Sequence, residues 1–441
     1  MTHLFGLRHV ALVSAATLML LPPARADLHD YVKKPEPAFK WTLKEKIAHP
    51  SGTVYDLHLV SQTWQGITWE HQLQVYQPQG VAPTSTMLLM NTGGSANFAN
   101  IALGMGVANS VKAPFAILYG IPNQPLLDGK REDALIAETF VRYLNTKDEN
   151  WPLLFPMVKS VIKAMDALQA FAQQEWKFQV KHFIITGGSK RGWTSWLTAA
   201  TGDPRVKAIA PMVIDVLNMK EQMSHQRASL GGFSEEISDY TQRGLVPIPD
   251  TPDATRLWRM VDPYTYRNQL TLPKLLLLGN NDPYWSTDAL NLYWDGLKGE
   301  KWVLYVPNAG HGLEQEYEGG KRDRERALNG LAAFARHQIF DKPLPKLQWK
   351  HDDANGKLRL TVHCHPAPVA ARLWVAHAPT RDFRKAKWVA QPATLQGSTV
   401  IGEVAPPSEG FVAFYGELDY EIDGLRYHLS TQLRIAGKSS Q

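Results

Sequence analysis

The 441-residue chain is 44% hydrophobic and 20% charged, an ordinary globular composition that excludes disorder and fibrous repeats and leaves room for two cores instead of one. Its formal charge of +5 includes Arg8 and Arg25 near the start, so the remaining excess is too small to argue for a nucleic-acid partner. A single cysteine, Cys364, excludes an intrachain disulfide but suits an oxidising compartment equally well.

At the start, Arg8 and His9 precede an apolar run from Val10 to Leu21, then Pro22-Pro23 and the triplet Ala24-Arg25-Ala26. This pattern predicts a bacterial signal peptide over residues 1–26 and a periplasmic or secreted mature protein. The run is about a dozen residues, short of the roughly 20 needed to span a bilayer, and no cysteine follows it to accept a lipid, so no stable membrane anchor is expected.

Residues 27–77 hold alternating stretches, Thr53 to Val60 and Thr68 to Tyr76, that read as an antiparallel hairpin. From Thr86 the pattern changes to apolar runs, 87–90, 115–118, 183–185, 206–210, 275–278 and 303–306, separated by amphipathic stretches. Continuous apolar strands with intervening helices predict a mostly parallel sheet covered on both faces. One such helix is legible over 157–173, where Val158, Val161, Ile162, Met165, Leu168 and Phe171 recur at helical spacing. Between about 216 and 262 the alternation stops in a Met-, Gln-, Ser-, Gly- and Pro-rich stretch, read either as a cap over the strand ends or as a plain surface excursion. This α/β unit closes near residue 342. A Pro-containing linker, 341–345, leads to seven short strand-like stretches within 346–441, the pattern of an immunoglobulin-like β-sandwich.

The strongest chemical signal is the buried strand Phe183-Ile184-Ile185-Thr186 running into Gly187-Gly188-Ser189-Lys190-Arg191-Gly192-Trp193 and then a helix-like stretch. A serine at a sharp strand-to-helix turn, flanked by glycines that permit the turn, is the nucleophile elbow of the α/β-hydrolase fold. The usual glycine two places after the serine is here Arg191, with Gly192 one place later. In the fold's order of serine, acid, histidine, Leu275–Leu278 delivers Gly279-Asn280-Asn281-Asp282, and the next strand delivers Asn308-Ala309-Gly310-His311. Ser189 is therefore the expected nucleophile, His311 its general base and Asp282 the acid that orients the imidazole, with Asp215 in reserve. Each residue alone is an ordinary turn former; the conjunction is the signal.

Oxyanion donors are expected from the Lys190 N–H and from the loop Asn91-Thr92-Gly93-Gly94-Ser95, with Gly94 ahead of Gly93. Trp193, Tyr284 and Trp285 flank the site and are candidate substrate contacts, or simply close the core. Lys190 and Arg191 either favour acidic substrates, Arg191 then contacting substrate, or solvate the helix and pack along the sheet. The charged run Asp128 to Asp133 either borders the cleft or starts a helix, with the solvated helix start preferred. His363 and His365 share one face of a strand, a structural pattern more than a metal pair, and neither a metal nor a cofactor is expected.

The runs Asn91-Thr92-Gly93-Gly94, Gly188-Ser189-Lys190-Arg191-Gly192-Trp193, Gly279-Asn280-Asn281-Asp282-Pro283-Tyr284-Trp285, Ala309-Gly310-His311 and Thr380-Arg381-Asp382-Phe383-Arg384 followed by Trp388 together resemble the PhoPQ-activated pathogenicity-related proteins. That resemblance implies an exported bacterial α/β-hydrolase-like protein with a C-terminal sandwich, and no settled substrate. Lys190 and Gly192 also resemble the elbow of glucuronoyl esterases, which implies esters of acidic sugars as one candidate substrate. The expected function is thus an exported serine hydrolase acting on an ester or peptide. The alternative is a catalytically inactive binding protein of the cell envelope on a hydrolase scaffold.

Overall fold

The computed structural model describes residues 27–438; the expected leader, residues 1–26, lies outside them. Nine strands build the first unit: Lys40–His49 (β1), Gly52–Trp64 (β2), Ile67–Pro78 (β3), Thr86–Asn91 (β4), Phe115–Leu118 (β5), His182–Gly188 (β6), Val206–Met212 (β7), Lys274–Gly279 (β8) and Lys301–Val306 (β9). They lie in the order β1-β2-β3-β5-β4-β6-β7-β8-β9. The first three pair antiparallel and β4 to β9 run parallel. With β1 set aside, that is the strand order of the α/β-hydrolase fold. The parallel strands are short and buried almost throughout, as expected where helices cover both faces.

The helix expected over 157–173 spans Leu154–Glu175, opening with Pro156 in its first turn, where a missing N–H costs nothing. It packs against β2 and against the helix Lys190–Ala200 that follows β6. The stretch where the alternation stops, 216–262, contains two longer helices, Met219–Leu230 and Pro252–Val261, with the short helix Ser238–Thr241 between them. The second is signalled by Thr251, whose hydroxyl accepts from Ala254 N–H, and by Pro252 at its first position.

The sheet does not end at β9. Strand Leu425–Ser430 joins it, with Ser430 opposite Val303, and Gly410–Ile422, Ala370–Ala378 and Val389–Pro392 continue outward, making one mixed 14-stranded sheet. A second, four-stranded sheet of Lys346–Ala354, Lys357–His365, Thr399–Val404 and Thr394–Gln396 faces this extension. Glycines set the contact: a Cβ on Gly402 would lie 2.5 Å from Leu373, and one on Gly416 2.8 Å from Leu360.

Three expectations need correcting. The last of the seven strand-like stretches, expected over Leu425 to Ile435, is two strands, because Arg434–Lys438 pairs with the first half of Gly410–Ile422 while Leu425–Ser430 pairs with the second. The segment 341–345 is docked and not a free linker: the Trp302 indole donates to Pro345 O at 2.7 Å and the Lys342 ammonium binds Asp423. Two cores exist, but they divide by sheet face and not by domain. Phe411, Ala413 and Tyr415 belong to one, while Val412, Phe414 and Leu418 belong to the other, together with Leu304 and Val306 of β9. Alternation along one strand places successive side chains on opposite faces, so each core runs from the first unit into the C-terminal one.

Candidate active site

Ser189 stands between the end of β6 and the first turn of Lys190–Ala200 with φ 57° and ψ −129°, a conformation side-chain-bearing residues rarely adopt and that costs roughly 1–3 kcal/mol. Neighbours hold it there. Ser189 N–H donates to Met212 O at 2.9 Å, and the Asn91 amide donates to Thr186 O, Arg191 O and Ser195 Oγ. A Cβ on Gly187 would fall 2.8 Å from Arg191 O, and one on Gly192 2.9 Å from Met212 O. The close helix–strand approach is therefore served by Gly187 and by Gly192, one place later than usual.

That shift frees the second position for Arg191, whose side chain is buried. Its guanidinium donates to Glu132 at 2.7 Å through both terminal nitrogens and to Ile121 O through Nε at 2.5 Å. Arg191 does not line the cavity beside Ser189, and its role as a substrate contact is corrected accordingly: its donors are committed to the protein. Lys190 does line the cavity, and its Nζ lies 3.0 Å from both Glu132 and Asp133. Burial raises the Glu132 carboxyl, but Arg191 and Lys190 outweigh it and hold the group at about 2. The run Asp128 to Asp133 does lead into a helix, Glu132–Thr146, and its Asp133 also borders the cavity, the two acids of the first turn pairing with the elbow's two cations.

His311 is presented by the loop after β9, and its Nδ1 lies 2.8 Å from Asp282 Oδ2 in the loop after β8. The two loops are laced together: Asn281 N–H donates to Ala309 O at 2.9 Å, and a Cβ on Gly279 would meet Gly310 O at 2.5 Å. Tyr284 stacks on the His311 ring at 4.2 Å between centroids, and burial pushes its hydroxyl up to about 12. Asp215, the reserve acid, accepts instead from Tyr293 OH at 2.6 Å. Burial, reinforced by the charge of Asp282, pushes it up to about 7.

Ser189 and His311 line one cavity of about 500 Å3, counting its open mouth. No hydrogen bond joins them among the described residues. Trp193, Tyr284 and Trp285 line the same cavity. Trp193 also donates to Val261 O at 2.6 Å and stacks on Trp258. Of the oxyanion candidates, Lys190 begins a helix, so its N–H has no intrahelical acceptor. Gly94 has φ +64° and is exposed, and neither it nor Gly93 lines the cavity. A Cβ on Gly93 would lie 2.4 Å from the Arg191 guanidinium, which is the reason that position is glycine.

Sequence reasoning missed most of the remaining lining, Ile214, Val216, Met219, Met223, and Trp258 of the helix Pro252–Val261, while Asp133 belongs to the charged run weighed as bordering the cleft. The four-residue spacing of Met219 and Met223 was the available signal, since it places both on one helix face. It also missed a clamp from the C-terminal unit. The Asn281 amide donates to the carbonyls of Phe383, Arg384 and Ala386 at 3.2, 3.1 and 2.7 Å. Asn308 bonds the backbone of Trp388 both ways, at 2.9 and 2.8 Å.

Elsewhere, Glu417, Asp419 and His428 hold potential ligand atoms within 4.8 Å of one another. Arg326 and Arg372 bind those carboxylates, so the cluster is an ion-pair network.

The strand order, the strained serine after β6 and the acid and histidine after β8 and β9 define a protein of the α/β-hydrolase architecture. The described residues contain no helix long and apolar enough to cross a membrane. The chain belongs to the PhoPQ-activated pathogenicity-related protein family, whose model matches residues 28–384. It is 34% identical over 385 residues to autocrine proliferation repressor protein A of Dictyostelium discoideum, covering 81% of this chain and 76% of that one. Among solved structures it is similar to acetyl xylan esterase 1 from Thermoanaerobacterium sp. JW/SL YS485, at 13% identity and TM-score 0.47 over 72% of this chain and 92% of the other. It is also similar to an S-formylglutathione hydrolase from Agrobacterium tumefaciens, at 13% identity and TM-score 0.45 over 68% and 99%.

Proposed function

We propose that this protein is an exported serine hydrolase, periplasmic or secreted, that cleaves an ester or peptide through an acyl-enzyme. Residues 346–441 then form an immunoglobulin-like β-sandwich attached to it. The observation that carries the reading is Ser189, held in a strained elbow conformation and sharing a cavity with a histidine whose Nδ1 is fixed by Asp282.

In this mechanism the Asp282 carboxylate accepts the Nδ1–H of His311, leaving Nε2 as the base. As the Ser189 oxygen attacks the carbonyl carbon, Nε2 takes its proton. The carbonyl oxygen becomes an oxyanion, met by the Lys190 N–H and an N–H of the Gly93-Gly94 turn; one such donor is worth roughly 100- to 1000-fold in rate. Collapse of the intermediate expels the leaving group with the proton from His311. Water, deprotonated by the same imidazole, then releases the acid and restores the serine. Catalytic hydrogen bonds are often long before substrate binds and tighten in the complex, so the open Ser189–His311 pair does not oppose this scheme.

The same open pair favours the second reading, a binding protein on a hydrolase scaffold that has lost catalysis. Labelling of the purified mature protein with a fluorophosphonate separates the two. The hydrolase reading expects labelling of wild type that is abolished in Ser189→Ala and lost or strongly slowed in His311→Ala. Asp282→Asn should slow it by roughly 10^3- to 10^4-fold, because the wrong imidazole tautomer is held. A well-folded wild type that takes no label supports the binding protein.

A further inference from the structure

We infer that the cavity beside Ser189 is an acyl pocket selecting uncharged, apolar acids, so that the substrate class is esters of aliphatic or aromatic carboxylic acids and not of acidic sugars. This rests on the reading of Ser189 as nucleophile.

The walls carry the argument. Trp193, Met219, Met223, Trp258 and Trp285 face the space, each at most 7% exposed, so it is walled by buried apolar side chains from Lys190–Ala200, the inserted segment and the loop after β8. The two methionines, on the face Met219–Leu230 turns inward, adapt to varied apolar shapes. The charged groups on the lining are already paired: Lys190 with Glu132 and Asp133, and Asp133 in turn with Tyr240 OH at 3.0 Å, while the Trp258 and Trp285 indole N–H groups have no hydrogen-bond partner among the described residues. With Arg191 also on Glu132, two cations meet two carboxylates. A substrate carboxylate entering here would find no free cation and would face Asp133, so the basic pair after the serine does not create an anion site.

The pocket holds the acyl side for a kinetic reason. The acyl group stays attached to Ser189 through both half-reactions while the leaving group departs after the first, so side chains packed beside the serine act on the acyl group for longer.

The test uses mature wild-type protein with p-nitrophenyl acetate, butyrate, hexanoate and octanoate, and with the hemisuccinyl ester as the charged counterpart of butyrate. Burial of each methylene is worth about four-fold in kcat/KM, so butyrate should exceed acetate by roughly fifteen-fold and the hemisuccinyl ester should fall at least ten-fold below butyrate. Asp133→Asn should narrow that last gap, and Met223→Trp should flatten the chain-length ladder. In parallel, tryptophan fluorescence of Ser189→Ala reports binding of methyl octanoate against methyl acetate without turnover.

Labelled wild type that prefers acetate or the hemisuccinyl ester overturns the acyl-pocket inference and leaves the hydrolase standing. Unlabelled protein that still binds methyl octanoate at least ten-fold more tightly than methyl acetate overturns the hydrolase and with it the acyl role. No labelling and no such binding overturns the pocket as well.

Discussion

Cutting the clamp between the C-terminal unit and the loops that carry Asp282 and His311 should loosen His311 as well as the fold. Asn281 precedes Asp282 and Asn308 lies three residues before His311, and both reach into the same segment, 383–388. Removing the Asn308 amide loses two hydrogen bonds, each worth about 0.5–1.5 kcal/mol net, and leaves the Trp388 N–H and C=O to find other partners. Asn308→Ala should therefore cost about 2–4 kcal/mol, and Asn281→Ala, which strips partners from three carbonyls, at least as much. Because the two amides hold one segment, the double variant should cost less than the sum. Thermal melting measures the stability, and hydrogen exchange over residues 307–313, with the fluorophosphonate labelling rate, measures loop order. Faster exchange in that loop and a labelling rate reduced ten-fold or more are expected in Asn281→Ala. A lower melting temperature with unchanged exchange and labelling would show that the contact only glues two units together. Excision of residues 346–441 is the blunter experiment: it would bare the β9 edge and open both cores, so these point variants address the clamp more cleanly.

The elbow and the buried acid give two further tests. Gly192→Ala should destabilise by about 1–3 kcal/mol or prevent soluble folding, since the new methyl would lie 2.8 Å from Ile214 and 2.9 Å from Met212 O; at Gly188, where the nearest atom is 3.9 Å away, alanine should fold normally. Equal melting temperatures for the two variants would refute this packing account. Asp215 has its pKa raised to about 7 by burial, against about 4 in an unfolded chain, so the native state holds the proton more tightly and its stability falls as pH rises from about 4 to 7. That window is worth about 4 kcal/mol, and Asp215→Asn should make the decline between pH 5 and pH 8 shallower, the buried Asp262, pushed up to about 6, sharing it below pH 6; parallel melting curves for both proteins across that range would sink the assignment.

The parts of this site legible in the sequence are those fixed by local chain geometry. A run such as Leu275–Leu278 has to be a buried strand, and a glycine-flanked serine between a strand and a helix has to turn sharply, so the order of elements and the positions of Ser189, Asp282 and His311 follow from neighbours in the chain. What was not legible depends on pairs far apart. Nothing local in Glu132-Asp133 says that these acids will meet Lys190 and Arg191 some sixty residues on, and Asn281 and Asn308 look like ordinary turn formers until the segment about a hundred residues beyond them is in place. The continuation of the sheet across β9 is hidden for the same reason, since Leu425–Ser430 alternates as any edge strand would, whatever it pairs with.

Arg191 shows why the departure from the usual elbow spacing belongs to the site's construction. With glycine moved to position 192, the second place after the serine is free for a long side chain, and the guanidinium passes over Gly93 to reach Ile121 O and Glu132. Those contacts join the helix after the serine, the loop after β4 and the start of the helix Glu132–Thr146. Ile121 N–H in turn donates to Thr92 O at 2.9 Å, so Arg191 braces the loop that carries Gly93 and Gly94 against the helix that begins at Lys190. A cation beside the nucleophile is thus spent on holding two donor-bearing segments at a fixed separation. Replacing it with lysine would keep the charge but lose the fork that binds Glu132 through two nitrogens. The geometry requires that change to slow fluorophosphonate labelling of Ser189 even where the protein folds, and an undiminished rate in folded Arg191→Lys would show that the brace is not needed.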